Sequence, residues 1–353
     1  MLKSDYPYES LADLPGVAFQ TMRRMILAQA ENAKLEVLED EPDRLTVATA
    51  HGLVGLRPGA EAEAAGMVAA RDARWLFVMK NAVVQQMRMA MPDVAASMRW
   101  SNGDVEGSLP ANFQFVRTIS VEALGRVFLR VTLEGEHMSA HGDDAIHFRL
   151  VQPPKDAAPE WPSVAANGSI DWPVGPGAPH RPVYTARSVD HAANTLVTDV
   201  YIHEGGRTTT WAQEAMRGSR DRSVVGLVGP SGGGLLRADR VLMATDETGF
   251  PAAARLMENL PPDATGEVIL EAADGEDCDY PLTITSEMTV RWLARSRGEC
   301  LADSVLEALP AHAGAHIWFA GEKQDARRIR DAAKNAGWDQ KQLRVSGFWT
   351  ARA

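Results

Sequence analysis

The chain has 353 residues, 45% hydrophobic and 24% charged, which is enough apolar material for cored globular structure in more than one domain. Its formal charge of −11 argues against nucleic acid as the main partner, because phosphate contacts need a basic face. Cys278 and Cys300 fit neither a metal-ligand spacing nor a disulfide framework, so structural zinc and iron–sulfur clusters are not expected, and two free thiols suit a reducing cytoplasm. The N-terminus carries Tyr6, Tyr8, Glu9 and Asp13 in place of a cationic and then apolar leader. No apolar run approaches the roughly 20 residues that span a bilayer, so a cytoplasmic protein without stable membrane insertion is the expectation.

In chain order, Val17, Met22, Met25 and Ile26 recur at helical spacing and predict a helix over Leu14 to Leu38. Strands are predicted at Arg44 to Ala48 and Leu53 to Arg57, with Gly52 and Gly55 near the bends and Pro58-Gly59 closing the second. A third apolar run, Trp75 to Met79, precedes a helix over Asn81 to Met91 that ends at Pro92. The methionines Met87, Met91 and Met98 are read as packing. Residues 1–105 thus predict a small α+β domain, followed by a linker through Ser101-Asn102-Gly103-Asp104 and Gly107-Ser108-Leu109-Pro110.

Beyond the linker the period falls to two. Val127, Leu129, Val131 and Leu133 alternate with polar neighbours, as do Ile146, Phe148 and Leu150. A Pro/Gly-rich excursion from Pro153 to Pro179 is followed by strands at Val183 to Ser188, Leu196 to Ile202 and Val224 to Val228. Repeated short strands with turn signals predict an antiparallel β-barrel over 112–237. Residues 238–353 then alternate: strand Val241 to Ala244, helix Pro251 to Asn259, strand Val268 to Leu270, helix Ser304 to Leu309, strand His316 to Ala320, helix Asp325 to Ala336 and strand Leu343 to Phe348. That alternation predicts an α/β domain with a parallel sheet covered on both faces, whose ligands bind beyond the strand C-termini.

Several segments could carry chemistry. Tyr184-Thr185-Ala186-Arg187 puts an aromatic face, a hydroxyl and a cation on one extended stretch, suited to a flat anionic cofactor. His203, Gly205 and Gly206, followed by Thr208, Thr209, Thr210 and Trp211, place glycines and hydroxyls at a helix start, where free N–H groups favour pyrophosphate; threonines there are equally good helix caps. Gly229-Pro230-Ser231-Gly232-Gly233-Gly234 lacks the dinucleotide-fingerprint spacing. Asp246-Glu247-Thr248 is an acidic turn at the end of a parallel strand, where its carboxylates and the Thr248 hydroxyl could meet a ligand, or Asp246 or Thr248 could simply cap the next helix. Arg291, Arg295, Gly321 and Glu322 lie near other strand ends and are candidates for an anionic substrate. The histidines show no hydrolytic zinc pattern, and no Gly-x-Ser-x-Gly elbow or P-loop is present, so neither a protein-bound metal nor an acid–base catalytic residue is expected.

The ordered series Tyr184-Thr185-Ala186-Arg187, His203-Glu204-Gly205-Gly206, Trp211-Ala212, Asp246-Glu247-Thr248, Ile317-Trp318-Phe319-Ala320-Gly321-Glu322 and Val345-Ser346-Gly347-Phe348-Trp349 resembles the siderophore-interacting proteins. These are FAD-dependent ferric-siderophore reductases of the ferredoxin-reductase-like superfamily, and the likeness spans roughly residues 112 to 353. Residues 1–105 faintly resemble a domain of unknown function found beside such reductases. The resemblance implies an FAD-binding barrel over 112–237, an NAD(P)H-binding-type domain over 238–353, and electrons passing from NAD(P)H through FAD to siderophore-bound Fe(III) in the cytoplasm. It also implies that the Tyr184 ring packs on the isoalloxazine. One departure concerns the family arginine, which stands two residues before the tyrosine; Pro182 occupies that place here and Arg181 comes one residue earlier, which reverses side-chain direction in a regular strand. Two other readings stay open: a siderophore-binding or regulatory protein of this fold without flavin activity, and a flavin reductase with another acceptor.

Overall fold

The computed structural model of the protein describes residues 5–59, 63–218 and 224–351. It divides into two compact units: Met1–Phe113 with Pro153–Pro179, and Gln114–Gln152 with His180–Ala353.

The first unit opens with β1 (Tyr8–Ala18), α1 (Phe19–Ala33), β2 (Val37–Glu41), β3 (Arg44–Ala48), β4 (Gly52–Pro58), β5 (Glu63–Ala70), α2 (Ala73–Ala90) and α3 (Pro92–Ser97). The strands form one antiparallel sheet in the order β1-β5-β4-β3-β2. The helix expected from Leu14 begins only at Phe19. Ser10, Ala12 and Leu14 are buried at alternate positions on β1, so sheet pairing overrides the helical spacing that starts further on. Trp75 to Met79 and the following segment are one helix, α2, because the Asp72 carboxylate accepts the Trp75 amide at 2.8 Å and sets its start. Strand β5 (EAAGMVAA) is rich in alanine, a weak strand former, and owes its state to pairing with β1 on one side and β4 on the other.

The second unit begins with β6 (Phe113–Leu124), β7 (Phe128–Glu134) and β8 (His147–Val151). The chain then leaves for the Pro153–Pro179 excursion, which carries the two-residue strands β9 (Ser163–Val164) and β10 (Ile170–Asp171) and is bonded into the first unit. Trp100 Nε1 donates to the Asn167 carbonyl (3.1 Å), Asn167 Nδ2 to the Ala95 carbonyl (2.9 Å) and the Ile170 amide to Asn81 Oδ1 (3.0 Å). At Gly168, with φ +77°, an added Cβ would sit 2.7 Å from Trp100 Cδ1, so only glycine allows this approach.

Returning, the chain forms β11 (Val183–Thr185), β12 (Ser188–Asp190), β13 (Thr195–Tyr201), α4 (Arg207–Met216) and β14 (Val224–Ser231). The sheet order β11-β8-β14-β6-β7-β13-β12 places β11 and β12 at opposite ends, yet they are halves of one extended segment. Ala186 N donates to Ile146 O on one side and Arg187 N to Val197 O on the other, both at 2.8 Å. The sheet therefore closes as a six-stranded antiparallel barrel, which removes its edges. Val131, Leu133, Phe148, Leu150 and Leu227 fill it, with Trp211 of α4 packed against them.

The remainder runs β15 (Arg240–Asp246), α5 (Phe250–Met257), β16 (Thr265–Ala272), β17 (Glu287–Ala294), α6 (Leu301–Ala308), β18 (His316–Glu322), α7 (Lys323–Asn335) and β19 (Leu343–Trp349). All pairs are parallel, in the order β17-β16-β15-β18-β19. Val241 and Met243 of β15 pack with α5, whereas Leu242 and Ala244 pack with α6 and α7, so the strand is apolar on both faces. Strand β17 reads as mixed because it is an edge, with Arg291 paired to Glu267 at 2.8 Å. The chain order reverses at β15, and that switch point lies beside Asp246. Phe128 of the barrel packs on Tyr280 (ring centroids 4.6 Å apart) and on Phe250 (5.9 Å), so barrel and α/β part share one core within the second unit.

Candidate functional site

A cleft of about 710 Å³ lies in the second unit, between the barrel face of β8, β11 and β14 and the C-terminal ends of β15 and β19. Its barrel wall is fixed by register. Val183 pairs with Arg149 and Thr185 with His147, and residues opposite each other on antiparallel strands share a face. The His147 Nδ1 to Thr185 Oγ1 contact of 3.3 Å follows from that register. Pairing continues upstream without a slip: Leu150 N donates to Pro182 O (3.0 Å), and Gln152 and His180 exchange bonds. Arg181, Val183 and Thr185 therefore share one face, while Tyr184 shares the face of Phe148 and packs against the barrel core while still edging the cleft. Arg181 joins the threonine face, not the tyrosine face.

Burial dominates the titrations on this wall. It lowers His147 to about 4, opposed by a hydrogen bond with the Tyr184 backbone, so the imidazole is neutral at neutral pH. It raises the Tyr184 phenol to about 12, opposed by a hydrogen bond with Thr208. The loop after β14 presses on the same histidine: Gly232 has φ +74°, and an added Cβ would lie 2.6 Å from His147 Cδ2. From the opposite wall Phe348 meets the His147 ring edge-on at 5.7 Å.

A second cavity, of about 570 Å³, lies at the C-terminal ends of the parallel strands and shares Tyr201, His203, Glu247 and Thr248 with the cleft. Asp246 lines it but is internally satisfied: Oδ1 accepts the Thr248 amide (2.8 Å) and hydroxyl (2.5 Å), and Oδ2 accepts Trp349 Nε1 (2.6 Å). Burial raises its pKa, partly opposed by those bonds. Glu322 caps α7 through the Gln324 and Asp325 amides and accepts the Ala351 amide at 3.2 Å.

Other expected site residues are held away from either cavity or neutralised. Ala186 is buried in the barrel core, and its carbonyl accepts from Arg255. Arg187 makes a two-pronged pair with Glu258, joining the barrel to the end of α5. Gly205 (φ +71°) turns the loop and Gly206 caps α4. The threonine hydroxyls are used within the fold: Thr208 donates to Gln152 Oε1 (2.9 Å), Thr209 to the Tyr201 carbonyl (3.3 Å) and Thr210 to the Gly206 carbonyl (3.0 Å), and Trp211 is core. Arg291 is paired with Glu267, and Gly321 is buried on β18. Arg295 lines the second cavity but binds Glu247 twice (2.8 and 2.5 Å) and Glu271 once (3.0 Å); burial would lower its pKa, and the two carboxylates raise it instead. His147, Arg149 and Phe348 belong to the site without having been singled out as ligand-binding. The only sequence signal for the first two was strand alternation, which fixes a face but not what that face meets.

The cleft fits FAD. Its volume lies in the range of ligand pockets, an aromatic or apolar surface comes from Tyr184, Pro251 and Phe348, donors come from Arg181 and Thr185, and the Gly232-Gly233 turn lines it without side chains. A family profile described as a siderophore-interacting FAD-binding domain matches residues 117–234, and one described as siderophore-interacting protein matches 238–352. The chain belongs to the siderophore-interacting protein family. Within that family it is 29% identical over 247 residues to the ferric vibriobactin reductase ViuB of Vibrio cholerae, covering 66% of this chain and 86% of that one. It is 28% identical over 250 residues to the NADPH-dependent ferric-chelate reductase of Escherichia coli, covering 68% and 94%. The siderophore-interacting protein SipS of Aeromonas hydrophila shares the fold, with a TM-score of 0.55 at 18% identity over 70% of this chain and all of that one. Among the described residues no helix is long and apolar enough to cross a membrane.

Proposed function

We propose that this siderophore-interacting protein is an FAD-dependent ferric-siderophore reductase that takes electrons from NAD(P)H. The observation that carries this reading is the pair of adjoining cavities meeting at Tyr201, His203, Glu247 and Thr248, one walled by the barrel and one at the switch point of the parallel sheet. FAD is assigned to the first and the dinucleotide to the second. When bound, FAD supplies the conversion between a two-electron donor and a one-electron acceptor.

The chain's own residues bind and orient. Arg181 and Thr185 offer a cation and a hydroxyl from one strand face, with Tyr184 and Phe348 giving flanking aromatic surface. The neutral His147 holds the Thr185 hydroxyl, and Asp246 ties Trp349 and Thr248 together at the floor of the second cavity. The iron is substrate: an acceptor chelate built from oxygen donors holds hard Fe(III) far better than Fe(II), so reduction releases the metal. The chain is read in three parts, a small α+β domain over 1–105 with residues 153–179 added to it, an FAD-binding barrel over 112–237, and an NAD(P)H-binding-type domain over 238–353, acting in the cytoplasm.

The test is a visible spectrum after FAD addition, followed by NAD(P)H oxidation with a ferric siderophore and trapping of Fe(II). A flavin spectrum and chelate-dependent turnover are expected. A protein that stays colourless in excess FAD overturns the assignment.

A further inference from the structure

We propose that the second cavity selects NADH over NADPH, with Glu271 receiving the adenosine ribose and a wall of carboxylates rejecting a 2′-phosphate. This rests on the assignment of that cavity to the dinucleotide. Three observations point to it. First, the parallel sheet runs β17-β16-β15-β18-β19, so in chain order its strands stand 3-2-1-4-5, the order of a dinucleotide-binding sheet. In such sheets an acidic side chain beyond the first crossover accepts from the ribose 2′-hydroxyl of NAD, whereas an arginine in that neighbourhood takes the 2′-phosphate of NADP. The second strand here is β16, and Glu271 is its penultimate residue and lines the cavity.

Second, the arginine that could answer a 2′-phosphate is already engaged. Arg295 is the only arginine or lysine lining the cavity among the described residues, and it donates to both Glu247 and Glu271. Turning it to a phosphate would leave the Glu247 side chain, 4% exposed, buried without its countercharge. Third, backbone amides at the strand ends are filled from inside. Asp246 accepts the Thr248 amide at 2.8 Å, Glu247 that of Ala273 at 3.0 Å and Glu271 that of Leu301 at 2.6 Å, while Glu322 accepts those of Gln324 and Asp325. With Glu299 and Asp325, six carboxylates line this cavity against one guanidinium. A phosphate monoester, at about −1.5 to −2 charges near pH 7, meets like charge there. The diphosphate is common to both donors and cancels in the comparison. A ribose hydroxyl is neutral and donates. Glu271 spends two of a carboxylate's roughly four acceptor positions, on Arg295 and on the Leu301 amide, and so can accept it.

The experiment titrates NAD⁺ and NADP⁺, which the oxidised FAD-loaded protein cannot turn over, into wild type, Glu271→Gln and Glu299→Gln. Binding is read by calorimetry at low and high salt, with a thermal melt of each protein as the folding control. Wild type is expected to bind NAD⁺ about tenfold or more tightly than NADP⁺, with the gap narrowing as salt screens the wall. Glu271→Gln should shrink that gap by about threefold or more, and Glu299→Gln by less, because it removes only a wall charge. Should Glu271→Gln melt early, Glu299→Gln and the salt series still carry the test. NADP⁺ binding as tightly as NAD⁺ overturns the proposal, and so does a gap that neither salt nor either substitution changes. FAD-loaded protein that binds neither dinucleotide overturns the assignment of the cavity and this selectivity with it, whereas protein that takes up no FAD defeats the functional reading itself.

Discussion

Replacing Arg295 with alanine separates a structural clamp from a substrate-binding cation. Its guanidinium donates to Glu247 at 2.8 and 2.5 Å and to Glu271 at 3.0 Å, and the Glu247 side chain is only 4% exposed. Breaking a fully buried pair from one side costs about 3–5 kcal/mol. Arg295 itself is 39% exposed, so water screens part of its charge and about 2 kcal/mol is the expected loss. At roughly 2–4 °C per kcal/mol, the melting temperature at pH 7 should fall by about 4–8 °C. The loss should depend on pH with a definite sign. Glu271 already has a raised pKa, burial being the main cause and Arg295 opposing it. Removing the arginine raises it further, so the deficit relative to wild type grows as pH climbs from the unfolded carboxylate value through the folded one, and shrinks below it. Calorimetry of both proteins at acid and neutral pH measures this. A shift under about 2 °C at pH 7, or an equal deficit at both pH values, refutes the clamp, and an unshifted melt with a raised KM would restore the substrate-binding role.

His147, held near 4 in the folded protein, must lose stability as pH falls from about 6.5 towards that value, because the unfolded chain takes up the proton first. His147→Gln should therefore narrow the stability drop between pH 7 and 4.5, by about 2 kcal/mol in urea titrations, and an unchanged drop would contradict the assignment. Gly232→Ala combines a φ of +74° with a Cβ pressed to 2.6 Å of His147, so about 1–2 kcal/mol of stability and measurably weaker FAD binding should be lost together. In the first unit, Asn167→Ala strips the Ala95 carbonyl and the Ser169 amide of buried partners and should cost about 2 kcal/mol by chemical denaturation. A loss below about 0.5 kcal/mol would mean that the excursion is held by other contacts.

The sequence by itself indicated the classes of the antiparallel barrel and of the parallel α/β part, because periodicity is local. Alternation along Val127 to Leu133 and Ile146 to Leu150 is a property of one strand, and the β–α alternation after residue 238 follows from short-range pattern. It also exposed the Arg181 shift, since strand parity is counted along the chain. It did not reveal β1, the alanine-rich β5 or the mixed edge strand β17, whose states depend on partners far away in sequence. Barrel closure through one segment split into β11 and β12 is likewise a long-range pairing. The candidate site shows the same division. Residue chemistry marked Tyr184 and Thr185 on an extended stretch and Asp246 and Thr248 at a parallel strand end, but which cations meet carboxylates was decided by tertiary packing. Whether Arg295 meets a ligand or two carboxylates, and whether Arg149 faces a cleft or solvent, depends on what stands opposite in space, and no spacing along a single chain encodes that.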